Sequence, residues 1–247
     1  MAFRDYNSIA AVQQRYQIVY QDAEFITPLP VTPSAAFLTD YDFTQKYINV
    51  LSSETSRCES IIFPVLKDVF RHYAEHLALW SHPSLTADEE LTGIPDYIIA
   101  SRSPLGKTVM GQPLLVIVEA KKNDFEQGWG QCLAGMVAAQ RLNNLPQTPI
   151  YGIVTDGQLW QFGRLLDDNF TMEKSSATTD KLENLFALVN ALSAVRWMYW
   201  LSQPNPSRDL SRCIGGAALD HLSSLTSWSW CTSDHLPRIP TSPPSSP

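Results

Sequence analysis

The feature that most constrains this chain is a run of five aliphatic residues, Leu114, Leu115, Val116, Ile117 and Val118, that stops abruptly at Glu119, Ala120, Lys121 and Lys122. Successive side chains of a strand point to opposite faces, so a strand built from such a run must be covered on both sides. Residues 113–120 are therefore expected to form a central strand, and helices must flank the sheet. A second β-rich run at 93–100 is separated from the first by 101–112, which hold Pro104, Gly106 and Gly111. Two adjacent strands joined as a hairpin fit this spacing.

The remaining pattern supplies the covering layers. Residues 124–142 carry an apolar stripe of Phe125, Trp129, Leu133, Met136, Val137 and Leu142, with Asn143 and Asn144 as a stop. Upstream, Ser52 or Ser53 suits the N-cap of a helix in which Ile61, Ile62, Leu66, Val69, Phe70, Tyr73 and Leu77 recur at threes and fours, kinked or restarted at Pro64. Residues 150–155 read as a third strand, Asp156 and Gly157 as a hairpin turn, 159–165 as the partner strand and 181–201 as the last helix. The expected architecture is α/β, a mixed central β-sheet flanked by helices. Pro28, Pro30 and Pro33 exclude regular helix or central strand around them, so residues 1–51 are expected to be an irregular arm with one short helix at 8–19. Residues 52–201 form the expected domain, and the Ser/Pro bias of 202–247 predicts a largely disordered tail.

Composition narrows the function classes. Eighteen Lys and Arg against 25 Asp and Glu leave a formal charge of −7, which argues against generic coating of nucleic acid, since that binding neutralises many phosphates with basic side chains. Any nucleic-acid contact is then local or metal-assisted. Cys58, Cys132, Cys213 and Cys231 are scattered, without a paired spacing for zinc or a disulfide framework. A reducing, intracellular location is expected. No basic start followed by an apolar stretch suggests a secretory leader, and Glu183, Asn184, Asn190 and Arg196 interrupt the most apolar window, so no membrane association is expected. His72 and His76 have helical metal-ligand spacing but no third ligand at a telling distance, which favours a polar helix face. Trp129 and Trp160 offer stacking surfaces for bases, although their places in an apolar stripe and a hairpin favour packing.

The chemistry gathers at the strand ends. Asp96 begins one expected strand after Pro95, and Glu119 and Lys121 close the next. Period two sends Glu119 and Lys121 to one face, where Asp96 joins them from the neighbouring strand. Two hard carboxylates suit Mg²⁺ or Mn²⁺, and an adjacent lysine can position the attacking water, a set made for phosphate-ester hydrolysis. The competing reading is a solvated strand end bearing a weak surface ion pair.

Pro95 and Asp96, a gap, then Glu119, Ala120 and Lys121 resemble the signature of the PD-(D/E)XK nuclease superfamily. The stretches around Glu54 to Leu66, Gly128 to Leu133 and Gly152 to Phe162 are similar to uncharacterised cyanobacterial-type members, and the domain also resembles the N-terminal nuclease domain of type I restriction subunits. The resemblance covers about 52–201 and implies a restriction-endonuclease-like fold. It implies a metal, Mg²⁺ or Mn²⁺, held by Asp96, Glu119 and the backbone carbonyl of Ala120, with Lys121 acting on the water. It also implies an upstream helix glutamate, either Glu54 or Glu59, and Gln131 beside the site. The implied partner is nucleic acid, DNA by analogy, with a homodimer or a partner subunit as possible assemblies. Gly135 stands where many members carry a tyrosine four residues after the glutamine. The alternative use of the same fold is a non-catalytic nucleic-acid- or partner-binding module.

Overall fold

The computed structural model describes residues 2–145 and 147–202, so the tail expected beyond Gln203 lies outside the described residues. The first half of the chain forms α1 (Ile9–Tyr16), β1 (Val19–Ala23), α2 (Ala35–Tyr47), α3 (Glu54–Arg57), a π-helical turn at Cys58–Ile62 and α4 (Phe63–Phe70). Then come β2 (Leu77–Ser81), β3 (Leu85–Thr86), β4 (Thr92–Gly93), β5 (Tyr97–Ser101) and β6 (Leu114–Ala120). The second half adds α5 (Phe125–Asn143), β7 (Ile150–Thr155), β8 (Leu159–Leu166), β9 (Asn169–Glu173), β10 (Ala177–Thr178) and α6 (Leu182–Ser202).

The fold is α/β, built on an eight-stranded mixed sheet in the order β1-β9-β8-β7-β6-β5-β2, with β10 paired to β8. The β6–β7 and β1–β9 pairs are parallel, and the other neighbours run antiparallel. All seven residues of β6 are buried, as its unbroken apolar run requires. Because β6 and β7 are parallel, the chain must cross over between them, and α5 makes that crossing. On its side of the sheet, Cys132, Leu133 and Met136 pack with Ile117. On the other side, Val116 and Val118 pack with Leu66 of α4 and Leu188 of α6. The expected hairpins β5–β6 and β7–β8 are both present.

The first 51 residues correct the expectation of an irregular arm. The helix expected at 8–19 is α1, capped by Ser8, whose Oγ accepts the Ala11 N–H. However, β1 adds an edge strand and α2 a second helix, so the one long irregular stretch is residues 24–34 around the prolines. Four of the five β1 residues are exposed. Backbone pairing with β9, not an apolar face, makes this strand, which is why alternation gave no sign of it. The start of α2 is set by a tertiary contact, since Ser34 donates its N–H (2.8 Å) and its hydroxyl (2.7 Å) to the Asp68 carboxylate of α4. Phe3, Tyr6 and Val12 are buried in the core on the α5 side, so the arm belongs to the same compact unit as the rest.

The helix expected from Ser52 or Ser53 starts at Ser53, whose Oγ accepts the Ser56 N–H at 3.0 Å. Ahead of Pro64 it widens to a π turn, in which the Phe63 N–H reaches the carbonyl of Cys58. Proline lacks an N–H and crowds the carbonyl four residues back, and the wider turn absorbs both effects. The helix ends in a 3₁₀ turn at Arg71–Tyr73, and Leu77 opens β2 instead of extending the helix. His72 and His76 therefore do not share one helix, and both are exposed.

Candidate active site at the end of the central strand

The β5–β6 register pairs Tyr97 with Val118, so one step beyond it Asp96 faces Glu119 across the strand ends. Asp96 Oδ2 accepts the Ala120 N–H at 2.7 Å, which pins the carboxylate against the last residue of β6. Lys121 continues the β6–β7 pairing by donating its N–H to the Thr155 carbonyl at 2.9 Å. Its Nζ lies 3.8 Å from Glu119 Oε2. Asp96, Glu119, Ala120 and Lys121 are thus brought together as expected.

The surroundings exclude a solvated strand end. Glu119 is 4% exposed, and the Lys121 side chain 12%. Burial pushes the Glu119 carboxyl well above its usual range, the neighbouring Asp96 charge pushes it further, and Lys121 offsets only part of this. Two carboxylates therefore converge where charge is costly to hold. That donor set fits a hard divalent cation such as Mg²⁺ or Mn²⁺, which would relieve the repulsion. Among the described residues no group of three His, Cys, Asp or Glu side chains makes a metal cluster. A cation here would complete its shell with the Ala120 carbonyl and waters, the arrangement Mg²⁺ favours.

Of the two upstream glutamates, the site gathers Glu54. It lies half-buried in the first turn of α3, and its charge acts on both Glu119 and the Cys58 thiol. Glu59 is exposed and lines a groove of about 260 Å³ between α2 and α4, beside Asp40 and Lys67. Its charge acts on Tyr97, the neighbour of Asp96, whereas that of Glu54 acts on Glu119 itself. Arg57 holds the glutamate-bearing helix in place by donating Nη1 to the Asp156 carbonyl at 2.6 Å, with Asp156 Oδ2 at 3.8 Å. The Asp156–Gly157 turn is thus both a hairpin turn and an anchor for α3.

The α5 helix reaches the site through small residues. Gly128, Gln131 and Gly135 fall on one helix face; a Cβ on Gly128 would stand 2.7 Å from Val154 Cγ1 and 2.9 Å from Lys121 Cγ, and one on Gly135 would meet Ile117 Cγ2 at 3.1 Å. Ile117, Glu119 and Lys121 share a face of β6, so Gln131, buried between the two glycines, lies over Glu119 by register. The same crowding explains the absence of a tyrosine at 135, since even a methyl there touches Ile117. Gly128→Ala is expected to cost about 1–3 kcal/mol and to displace the Lys121 stem, seen as a lower melting temperature.

The other sequence candidates have structural roles. Trp129 and Trp160 are buried, and Trp129 Nε1 donates to Gln161 Oε1 at 2.7 Å. Burial pushes the Cys58 thiol up to about 12 and the Cys132 thiol well above its usual value, so neither is a thiolate nucleophile. Lys122 turns away from Lys121 and donates Nζ to the Ser52 carbonyl at 3.4 Å. One neighbour of the site has no sequence signature at all: His82, whose Nε2 lies 3.3 Å from Asp96 Oδ1. It falls just beyond β2, in a stretch without a motif to flag it.

No protein-family model matches the chain. Over 70 residues it is 37% identical to Crinkler effector protein 5 of Phytophthora infestans. That match spans 28% of this chain and 19% of the effector, so the likeness is between a part of one chain and about a fifth of the other.

Proposed function

We propose that the chain is a metal-dependent nuclease of the PD-(D/E)XK type that hydrolyses phosphodiester bonds, with DNA as the preferred substrate. The observation that carries this reading is a carboxyl buried at the end of the central strand, Glu119, with Asp96 across from it and Lys121 beside it. In this reading Asp96, Glu119 and the Ala120 carbonyl hold Mg²⁺ or Mn²⁺. When bound, such an ion polarises the phosphate and lowers the pKa of a water. Lys121 Nζ orients the attacking water for in-line displacement, Glu54 assists the ion or its waters, and Gln131 steadies Glu119. The resemblance implies a 5′-phosphate product. The formal charge of −7 favours substrate contacts confined to the site. The same charge is the observation behind the second reading, a partner-recruited binding module without cleavage.

The test is cleavage of supercoiled and single-stranded DNA, and of single-stranded RNA, by wild type and Lys121→Ala prepared in parallel. Wild type should cut only with Mg²⁺ or Mn²⁺ and stop in chelator, while Lys121→Ala should be slower by roughly 10²-fold or more. Equal behaviour of the two proteins would give the lead to the binding module.

A further inference from the structure

His82 has no part in the reaction just described, yet its imidazole lies beside the Asp96 oxygen that the Ala120 N–H does not use. In the β2–β5 register Ser81 pairs with Tyr97, so His82 comes opposite Asp96, and its N–H donates to the Asp96 carbonyl at 2.8 Å. Its φ is 48°, a left-handed conformation that is uncommon outside glycine and turns the chain at that point. From there the imidazole returns across the strand end. Nε2 lies 3.3 Å from Asp96 Oδ1, Nδ1 lies 3.0 Å from Ser81 Oγ, and the ring stands 5.8 Å from that of Tyr97.

The Asp96 carboxylate is thereby approached from two sides, by the Ala120 N–H at Oδ2 and by His82 at Oδ1. The His82 side chain is 56% exposed, so burial gains little from holding it there. We propose that His82 is a positioning residue, which fixes the orientation in which Asp96 is presented to the divalent ion. The proposal rests on the reading of Asp96 and Glu119 as a metal pair. Partners that orient a metal-binding carboxylate typically govern metal affinity by 10–100-fold.

The test reads metal binding, not turnover, as the rise in melting temperature with added Mn²⁺ for the full chain, His82→Asn, His82→Gln and Asp96→Ala. Asparagine tolerates left-handed backbone but ends short of Asp96, whereas glutamine extends an amide N–H about as far as Nε2. His82→Asn should need about tenfold more Mn²⁺ for the same rise, His82→Gln should fall within about threefold of wild type, and Asp96→Ala should not respond. A His82→Asn midpoint within about twofold of wild type, or a His82→Gln midpoint as weak as that of His82→Asn, overturns the role of His82 alone. A metal-free melting temperature of His82→Asn more than about 5 °C below wild type would make His82 a fold-stabilising residue instead and also overturns it. A wild type that ignores Mn²⁺ overturns the metal pair itself, and His82's role with it.

Discussion

Glu119→Gln is expected to stop cleavage and at the same time to raise the melting temperature of the metal-free protein. The two effects have one cause. Burial, then the Asp96 charge, both oppose an ionised Glu119, and the Lys121 ammonium 3.8 Å away outweighs neither. An amide of the same shape removes the charge and keeps the packing, so the metal-free fold should gain about 1 kcal/mol or more, roughly 2–4 °C for a domain of this size. The pH dependence follows from the raised folded pKa. Protonation of Glu119 stabilises the fold fully below the unfolded value of about 4.5, and that contribution is lost as pH rises through the higher folded value. The advantage of glutamine should therefore be largest at neutral pH and vanish in acid. Cleavage, by contrast, should fall by roughly 10²–10³-fold, and the response of the melting temperature to Mn²⁺ should disappear. Thermal melts in chelator and in Mn²⁺, with cleavage assays alongside, check all three. A variant that melts below wild type in chelator would contradict the electrostatic account, whatever its activity.

The pairing of Asp96 with a buried Glu119 was readable from the sequence because of where the carboxylate falls. A strand that is apolar on both faces announces its own burial, so Glu119 at its end had to be either a shallow rim residue or a buried group with a task. Hairpin spacing then brought Asp96 alongside, and the stripe of 124–142 supplied the helix that covers them. What could not be read depends on contacts remote in sequence. Glu54 and Glu59 flank a helix start that widens into a π turn at Cys58–Ile62, so an ideal helical period does not apply between them. Docking of Arg57 onto the Asp156–Gly157 turn is what anchors the α3 end of that helix, the end that carries Glu54. The edge strand β1 has an exposed sequence and exists through its pairing with β9, and His82 owes its place to one left-handed residue. Each is a tertiary choice written over a neutral local pattern.

The arm provides the second large effect, one of stability. Glu173→Gln is expected to loosen residues 19–26 and to lower the melting temperature by roughly 4–8 °C, about 2 kcal/mol. Glu173 ends β9 and is 5% exposed. Its Oε2 accepts the N–H groups of Phe25 (2.7 Å) and Ile26 (2.9 Å), and its Oε1 accepts the N–H and hydroxyl of Ser175, both at 3.1 Å. Four donors meet one acceptor pair, and an amide must turn its NH₂ toward two of them, so either Phe25 and Ile26 or Ser175 loses its acceptor, and the loss of charge weakens the bonds that remain. Burial alone would raise the Glu173 carboxyl, but the backbone bonds from Phe25, Ser175 and Ile26, with the Ser175 hydroxyl, hold it below the usual carboxylate value. A depressed folded pKa means that this stabilisation is fully present above the unfolded value of about 4.5 and is lost as pH falls through the lower folded value. The gap in melting temperature between wild type and Glu173→Gln should accordingly hold steady from neutral pH to about pH 5 and close in stronger acid. Other carboxylates titrate over the same range, but they do so in both proteins, so the difference isolates this clasp. Hydrogen exchange gives the local readout: the amides of Phe25 and Ile26 should lose protection in the variant, while those of β6 keep theirs. Equal melting temperatures at neutral pH, or protection lost evenly across the sheet, would mean that the arm is held by its backbone pairing with β9 and not by Glu173.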